Sequence, residues 1–110
     1  MTNVSQIVGF DIERSLAATS FNGSFQFIGS ALSENPVLII LDNQSDVAVP
    51  ISVDGVNIWK TFSAGEAIIL DLRANHGIAA NYTIPIGTRF STNAAVGTDG
   101  SFRISTNYAR

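Results

Sequence analysis

In 110 residues the chain has no cysteine, one histidine, one tryptophan, one methionine and three prolines. Without cysteine no disulfide framework can hold the fold, so packing and hydrogen bonds must do so, which fits assembly in a reducing cytosol. A His/Cys zinc site is excluded, and a two-histidine metal site would need a second chain. Charge is scarce as well: charged residues make up 14% of the chain and the net charge is −3, where an average soluble domain carries roughly a quarter charged residues. The basic residues Arg14, Lys60, Arg73, Arg89, Arg103 and Arg110 stand singly. No basic patch forms, which argues against nucleic acid and against an anionic membrane surface as partners. The longest apolar run, Pro36 to Leu41, falls far short of the roughly 20 residues a membrane-spanning helix requires. The opening residues show neither a basic nor an apolar signal region, so no secretory leader is expected.

What the chain does have is hydrophobicity and small polar groups. The hydrophobic fraction is 45%, and Asn, Ser and Thr together number 29. Short hydroxyl and amide side chains favour turns and strand surfaces over helix interiors. The chain length suits one domain with one core.

Strand-like alternation recurs along the chain. Val47, Val49, Ile51 and Val53 alternate with smaller residues, and Pro50 marks that strand as an edge or a bulge. Asp54-Gly55 then predicts a two-residue hairpin turn joining strands of about 47–53 and 56–62. Ile68, Leu70 and Leu72 share a face. The apolar run 37–41 predicts a central strand covered on both faces. Phe102 and Ile104 alternate with Arg103 and Ser105, and residues 89–91 are expected to pair with them across the Gly97 to Gly100 turn. Asn22-Gly23 leads into Phe25 and Phe27 on one face. Residues 6–19 read as strand in preference to a short helix, and 74–82 as a loop. The expected fold is all-β: a single antiparallel β-sandwich, jelly-roll-like, of about eight short strands. Residues 1–20 form an N-terminal arm or first strand, and 21–110 the sandwich domain. The expected core is Phe10, Phe25, Phe27, Val37, Ile39, Leu41, Val49, Ile51, Ile68, Leu70, Leu72, Phe102 and Ile104.

Catalytic templates fail at the inventory. A Ser-His-Asp triad would have to use His76, which lies in a loop-like stretch where a solvated histidine is the simpler account, and there is no Gly-x-Ser-x-Gly elbow. The glycines fall at turns and strand ends and form no phosphate loop. Asp42 with Asp46, and Asp11 with Glu13, lack the partners that would tune a catalytic carboxylate pair. Asp42, Asn43 and Asp46 could offer oxygens to calcium from one loop, but an Asx-type turn explains them more simply. No enzyme, cofactor or metal is therefore expected. Alternation turns Trp59 outward if Ile58 and Phe62 face the core. An outward Trp59, with Tyr82 and Tyr108, is a candidate interface or ligand platform, for a subunit contact ahead of a sugar; the alternative is that Trp59 covers a sheet edge.

Several segments carry a resemblance: Asn43-Gln-Ser-Asp-Val-Ala-Val49, Ser52-Val-Asp-Gly55, Phe62-Ser-Ala-Gly-Glu66, Leu70-Asp-Leu-Arg-Ala-Asn75, Ile84-Pro-Ile-Gly-Thr88 and Gly100-Ser-Phe-Arg-Ile-Ser105. From about residue 25 onward their order resembles the small β-sandwich virion proteins of tailed bacteriophages. The resemblance implies a homo-oligomer, often a trimer, that decorates a capsid beside the major capsid protein or serves as a fibre, spike or tail adaptor. Such a protein would be assembled in the host cytoplasm and carried in the virion, with no catalytic residues to transfer. A lectin-like module that binds glycan for host attachment is the alternative.

Overall fold

The computed structural model describes residues 8–72 and 84–109. It is all-β and antiparallel, with a single 3-10 turn at Ala18–Ser20 as its helical element among the described residues. The strands are β1 (Val8–Phe10), β2 (Arg14–Ala17), β3 (Gln26–Phe27), β4 (Pro36–Asn43), β5 (Val49–Ile51), β6 (Lys60–Phe62), β7 (Ala67–Asp71), β8 (Ser91–Thr92) and β9 (Ser101–Ala109). The largest sheet runs β1-β9-β4-β7, with β2 also on β9, and two small sheets pair β3 with β8 and β5 with β6. A bridge between Ser52 and Ser91 links the two small sheets.

Period-2 alternation explains the burial of the large sheet. Ile39 and Leu41 of β4 point inward with Phe102 and Ile104 of β9, and Ile68 and Leu70 of β7 pack against them. Val49, Ile51 and Phe62 of β5 and β6 join the same cluster, as do Phe21, Ile28, Leu32 and Phe90 from irregular segments. Phe62 and Phe102 meet edge to face, with centroids 5.2 Å apart, a favoured aromatic geometry. β4 is central, but Leu38 and Ile40 on its other face are only half-buried, so that face is not fully covered among the described residues.

The structure departs from the sequence-based expectations at several points. Strands β5 and β6 do form an antiparallel pair, but Val49 faces Phe62 and Ile51 faces Lys60, which leaves residues 52–59 as the connection. Asp54 does not act as a two-residue turn. Its carboxylate accepts the N–H groups of Val56 and Asn57 and the Ser52 hydroxyl, so the chain coils locally in place of a ladder. Ser52 has already left β6 for Ser91. Residues 91–92 pair with β3, not with β9, because both sides of β9 are occupied, by β4 on one and by β1 and β2 on the other.

Phe10 (79% exposed), Phe27 (55%) and Phe25 (40%) are not core residues. Just after β3 the inward position belongs to Ile28, and the Phe27 ring is covered instead by the Arg89 guanidinium, 3.8 Å from its centroid. Residues 8–17 supply two strands to the large sheet, and the stretch 74–82 lies outside the described residues.

Two polar side chains hold the irregular parts. Asn43 is fully buried at the end of β4. Its Nδ2 donates to the carbonyls of Val47, Phe62 and Ser63, and its Oδ1 accepts the N–H and hydroxyl of Ser45. One amide therefore satisfies the backbone of the β4–β5 turn and the end of β6. Arg14 is buried on β2 and donates to the carbonyls of Ile12, Ser30 and Ala31 and to Asp11. Gly100 adopts φ +77, and a Cβ there would lie 1.9 Å from the carbonyl oxygen of Gln44. Glycine is required at this crossing by both dihedral and space.

Candidate functional site

An apolar cleft of about 330 Å³ opens on the described surface. Val53 and Trp59 reach it from the β5–β6 connection, Leu70 from β7, and Ile84, Pro85 and Phe90 from the segment before β8. Each is placed by the fold. The Asp54 coil replaces a tight hairpin and swings Val53 and Trp59 to the rim, where they are 47% and 46% exposed. Trp59 is fixed by its backbone N–H, which donates to Ile51 C=O at 2.8 Å, and by an edge contact with Phe62 at 6.2 Å between centroids. Leu70 projects from the inward face of β7, and Thr88 is held by its carbonyl, which accepts the Leu32 N–H.

The chemistry of this cleft is limited. Thr88 and the Trp59 indole bring the only side-chain polar atoms among its lining residues, and no charged side chain lines it. It offers no nucleophile–base pair and no carboxylate pair. It suits an apolar group of the size of one or two side chains far better than a sugar, whose hydroxyls need several convergent hydrogen-bonding groups.

The sequence-based candidates are only partly brought together. Trp59 lines the cleft. Tyr108 is on β9, half-buried, with its ring across Gly9 of β1, so closely that a Cβ on Gly9 would fall 2.2 Å from Cζ. This is an aromatic ring covering a strand glycine, and Tyr108 does not line the cleft. Tyr82 and His76 lie outside the described residues. Leu70, Ile84, Pro85 and Phe90 were not singled out as site residues, because an apolar strand residue and a loop proline carry no chemical signature of their own.

The acidic groups have local roles. Asp46 accepts the N–H groups of Thr98 and Asp99 and the Thr98 hydroxyl. These bonds, the Thr98 hydroxyl first, hold its carboxyl below the usual carboxylate range. Asp54 is held well below that range by the Asn57 and Val56 N–H groups, then by the Asn57 and Ser52 side chains. Glu66 is lowered by the Ser63 N–H and by Lys60 at 3.1 Å. Of the candidate calcium ligands, Asn43 Oδ1 is occupied by Ser45 and Asp46 by the 98–99 backbone, while Asp42 accepts the Gln44 side chain. No group of three or more His, Asp or Glu able to hold a metal forms among the described residues.

Compared with known proteins, the chain matches no family model, no curated protein and no solved structure.

Proposed function

We propose that this chain is a non-enzymatic structural protein that assembles with copies of itself, most specifically a capsid decoration protein of a tailed bacteriophage built as a jelly-roll-like sandwich. The small sheets, linked through Ser52 and Ser91, form the second layer in this view. The observation that carries the proposal is the apolar cleft at Trp59, where exposed hydrophobic side chains gather with no charged side chain among the lining residues. Aromatic side chains at the rim of an apolar depression are the usual anchors of a protein contact. The sequence resemblance supplies the virion setting, and the low charge leaves little repulsion between meeting subunits.

Light scattering and sedimentation on the purified chain test the self-assembly. A symmetric oligomer is expected, and Trp59→Ala should weaken it while the circular dichroism spectrum is retained. A monomer at every concentration, together with Trp59-dependent binding on a glycan array, would replace this proposal by the lectin-like one. The virion assignment is tested separately: the chain should be a stoichiometric component of purified phage particles, and its absence from them overturns that assignment.

A further inference from the structure

Among the described residues the two edges of the large sheet differ. On one side, β1 and β2 are short and interrupted by Asp11, Ile12 and Glu13. On the other, β7 is an unbroken five-residue strand in continuous register with β4. It holds no lysine, proline or bulge, and its one charged residue, Asp71, stands at its end, so few of the usual devices that keep an edge from pairing are present. Its alternation is Ala67, Ile69 and Asp71 on the outer face, with Ile69 64% exposed, and Ile68 and Leu70 turned to the core.

The hydrogen bonds to β4 show which backbone groups face outward. Asn43 N–H donates to Glu66 C=O, and Leu72 N–H donates to Val37 C=O, each at 2.9 Å. In an antiparallel ladder, successive residues point their N–H and C=O alternately to the two sides. Residues 68 and 70 therefore turn theirs toward β4, as do the Glu66 C=O and the Leu72 N–H, and Ala67, Ile69 and Asp71 turn theirs off the sheet. Among the described residues, β4 is the only strand paired with β7.

We infer that the β7 edge is a self-association site, pairing antiparallel with β7 of a second copy across a two-fold axis at Ile68. This inference rests on the homo-oligomer part of the proposed function and adds a second interface to the contact at the Trp59 cleft. Ala67 stands opposite Ile69 of the second copy and Ile69 opposite its Ala67, so these two of the three outward-pointing residues of each chain are hydrogen-bonded. The pairing keeps every side chain on its own face and sets Ala67 of the second copy beside the apolar pair Ile40 and Ile69. It sets Asp71 opposite Gly65 of the other copy, so no like charges meet. A head-to-tail ring would instead have to join β7 to the broken β1–β2 edge, which offers no strand of matching length. The β7 edge therefore makes a closed dimer, with the Trp59 cleft free for a further contact.

Ile69→Pro removes the outward N–H while costing no bond to β4, whereas Ile69→Thr keeps the backbone donor and the β-branched shape. Sedimentation of the wild type should show a dimer or an even multiple of it. Ile69→Pro should lose that pairing, and Ile69→Thr should retain it, with circular dichroism and thermal melting confirming the fold. If the proline chain does not fold, Ile69→Lys serves, since it places two cations at the axis. A trimer, or an even assembly unaffected by Ile69→Pro and Ile69→Lys, overturns the edge pairing and leaves the homo-oligomer proposal standing. A wild-type monomer at every concentration overturns both.

Discussion

Asn43, at the end of β4, is a polar side chain with no exposure, while Ile69, on the neighbouring strand β7, is an apolar side chain left 64% exposed. Hydropathy alone would exchange them. Asn43 is inside because several backbone groups of the 43–47 turn and the β6 end are closed off from water there and need a partner. Ile69 is outside because its neighbours Ile68 and Leu70 take the inward positions, and a strand cannot point consecutive residues the same way. Burial here follows backbone demand and strand parity, and what hydropathy loses in the exchange appears as an exposed apolar surface at one edge.

That contrast can be broken by substitution. Asn43→Ala should destabilise the monomer by about 4 kcal/mol, since it leaves buried carbonyls and the Ser45 donors unsatisfied. Arg14→Met should cost about 3 kcal/mol through the loss of its carbonyl contacts and of the Asp11 partner. Ile69→Thr should change monomer stability by no more than about 0.5 kcal/mol. Urea denaturation of the three variants checks the order, and an Asn43→Ala cost as small as that of Ile69→Thr would remove the distinction between the two sites.

A smaller effect, of opposite sign, is expected at Thr106. Its hydroxyl is buried with no hydrogen-bond partner among the described residues. Replacing it by the isosteric valine removes an unmet polar group, so Thr106→Val should stabilise by about 1 kcal/mol in the same denaturation assay.

The smallest effect concerns pH. Asp46 and Asp54 are lowered in the folded chain by hydrogen bonds from neighbouring groups. A carboxyl whose folded pKa is depressed stabilises the fold above its unfolded value and loses that contribution as the pH falls through the folded value. Thermal melts should therefore shift downward as the pH drops below about 4, and Asp54→Asn should flatten that dependence. Both side chains are solvent-facing, which keeps the effect modest.

Much of the fold was legible from residue order. The alternation at Ile39, Leu41, Ile68, Leu70, Phe102 and Ile104 identified one face of the main sheet, because strand parity is a local property. The hairpin partners at residues 49–51 and 60–62 could also be read, although their register could not. Asp-Gly allows a tight turn, but Ser52 and Asp54 offered the backbone a competing set of bonds, and Ser91, distant in sequence, drew Ser52 away. Phe25 and Phe27 misled because two phenylalanines at strand spacing look the same whichever face is inward; Ile28 and Leu32 decided that face. Of the site, Trp59 is a candidate in the sequence on the premise that Ile58 faces the core; Ile58 is itself 41% exposed, because residues 52–59 form a connection and not an alternating strand. Its companions Leu70, Ile84 and Phe90 are not candidates there, since their meeting depends on long-range packing.

The sequence by itself determined a cysteine-free, low-charge, antiparallel β domain, because composition excludes other frameworks and period-2 patterning is written residue by residue. Only the tertiary structure decided which strands sit at the edges, that β9 lies inside the sheet, and that an apolar cleft opens beside β7. Those outcomes depend on which distant backbone groups find each other, and side-chain identity does not encode that choice locally.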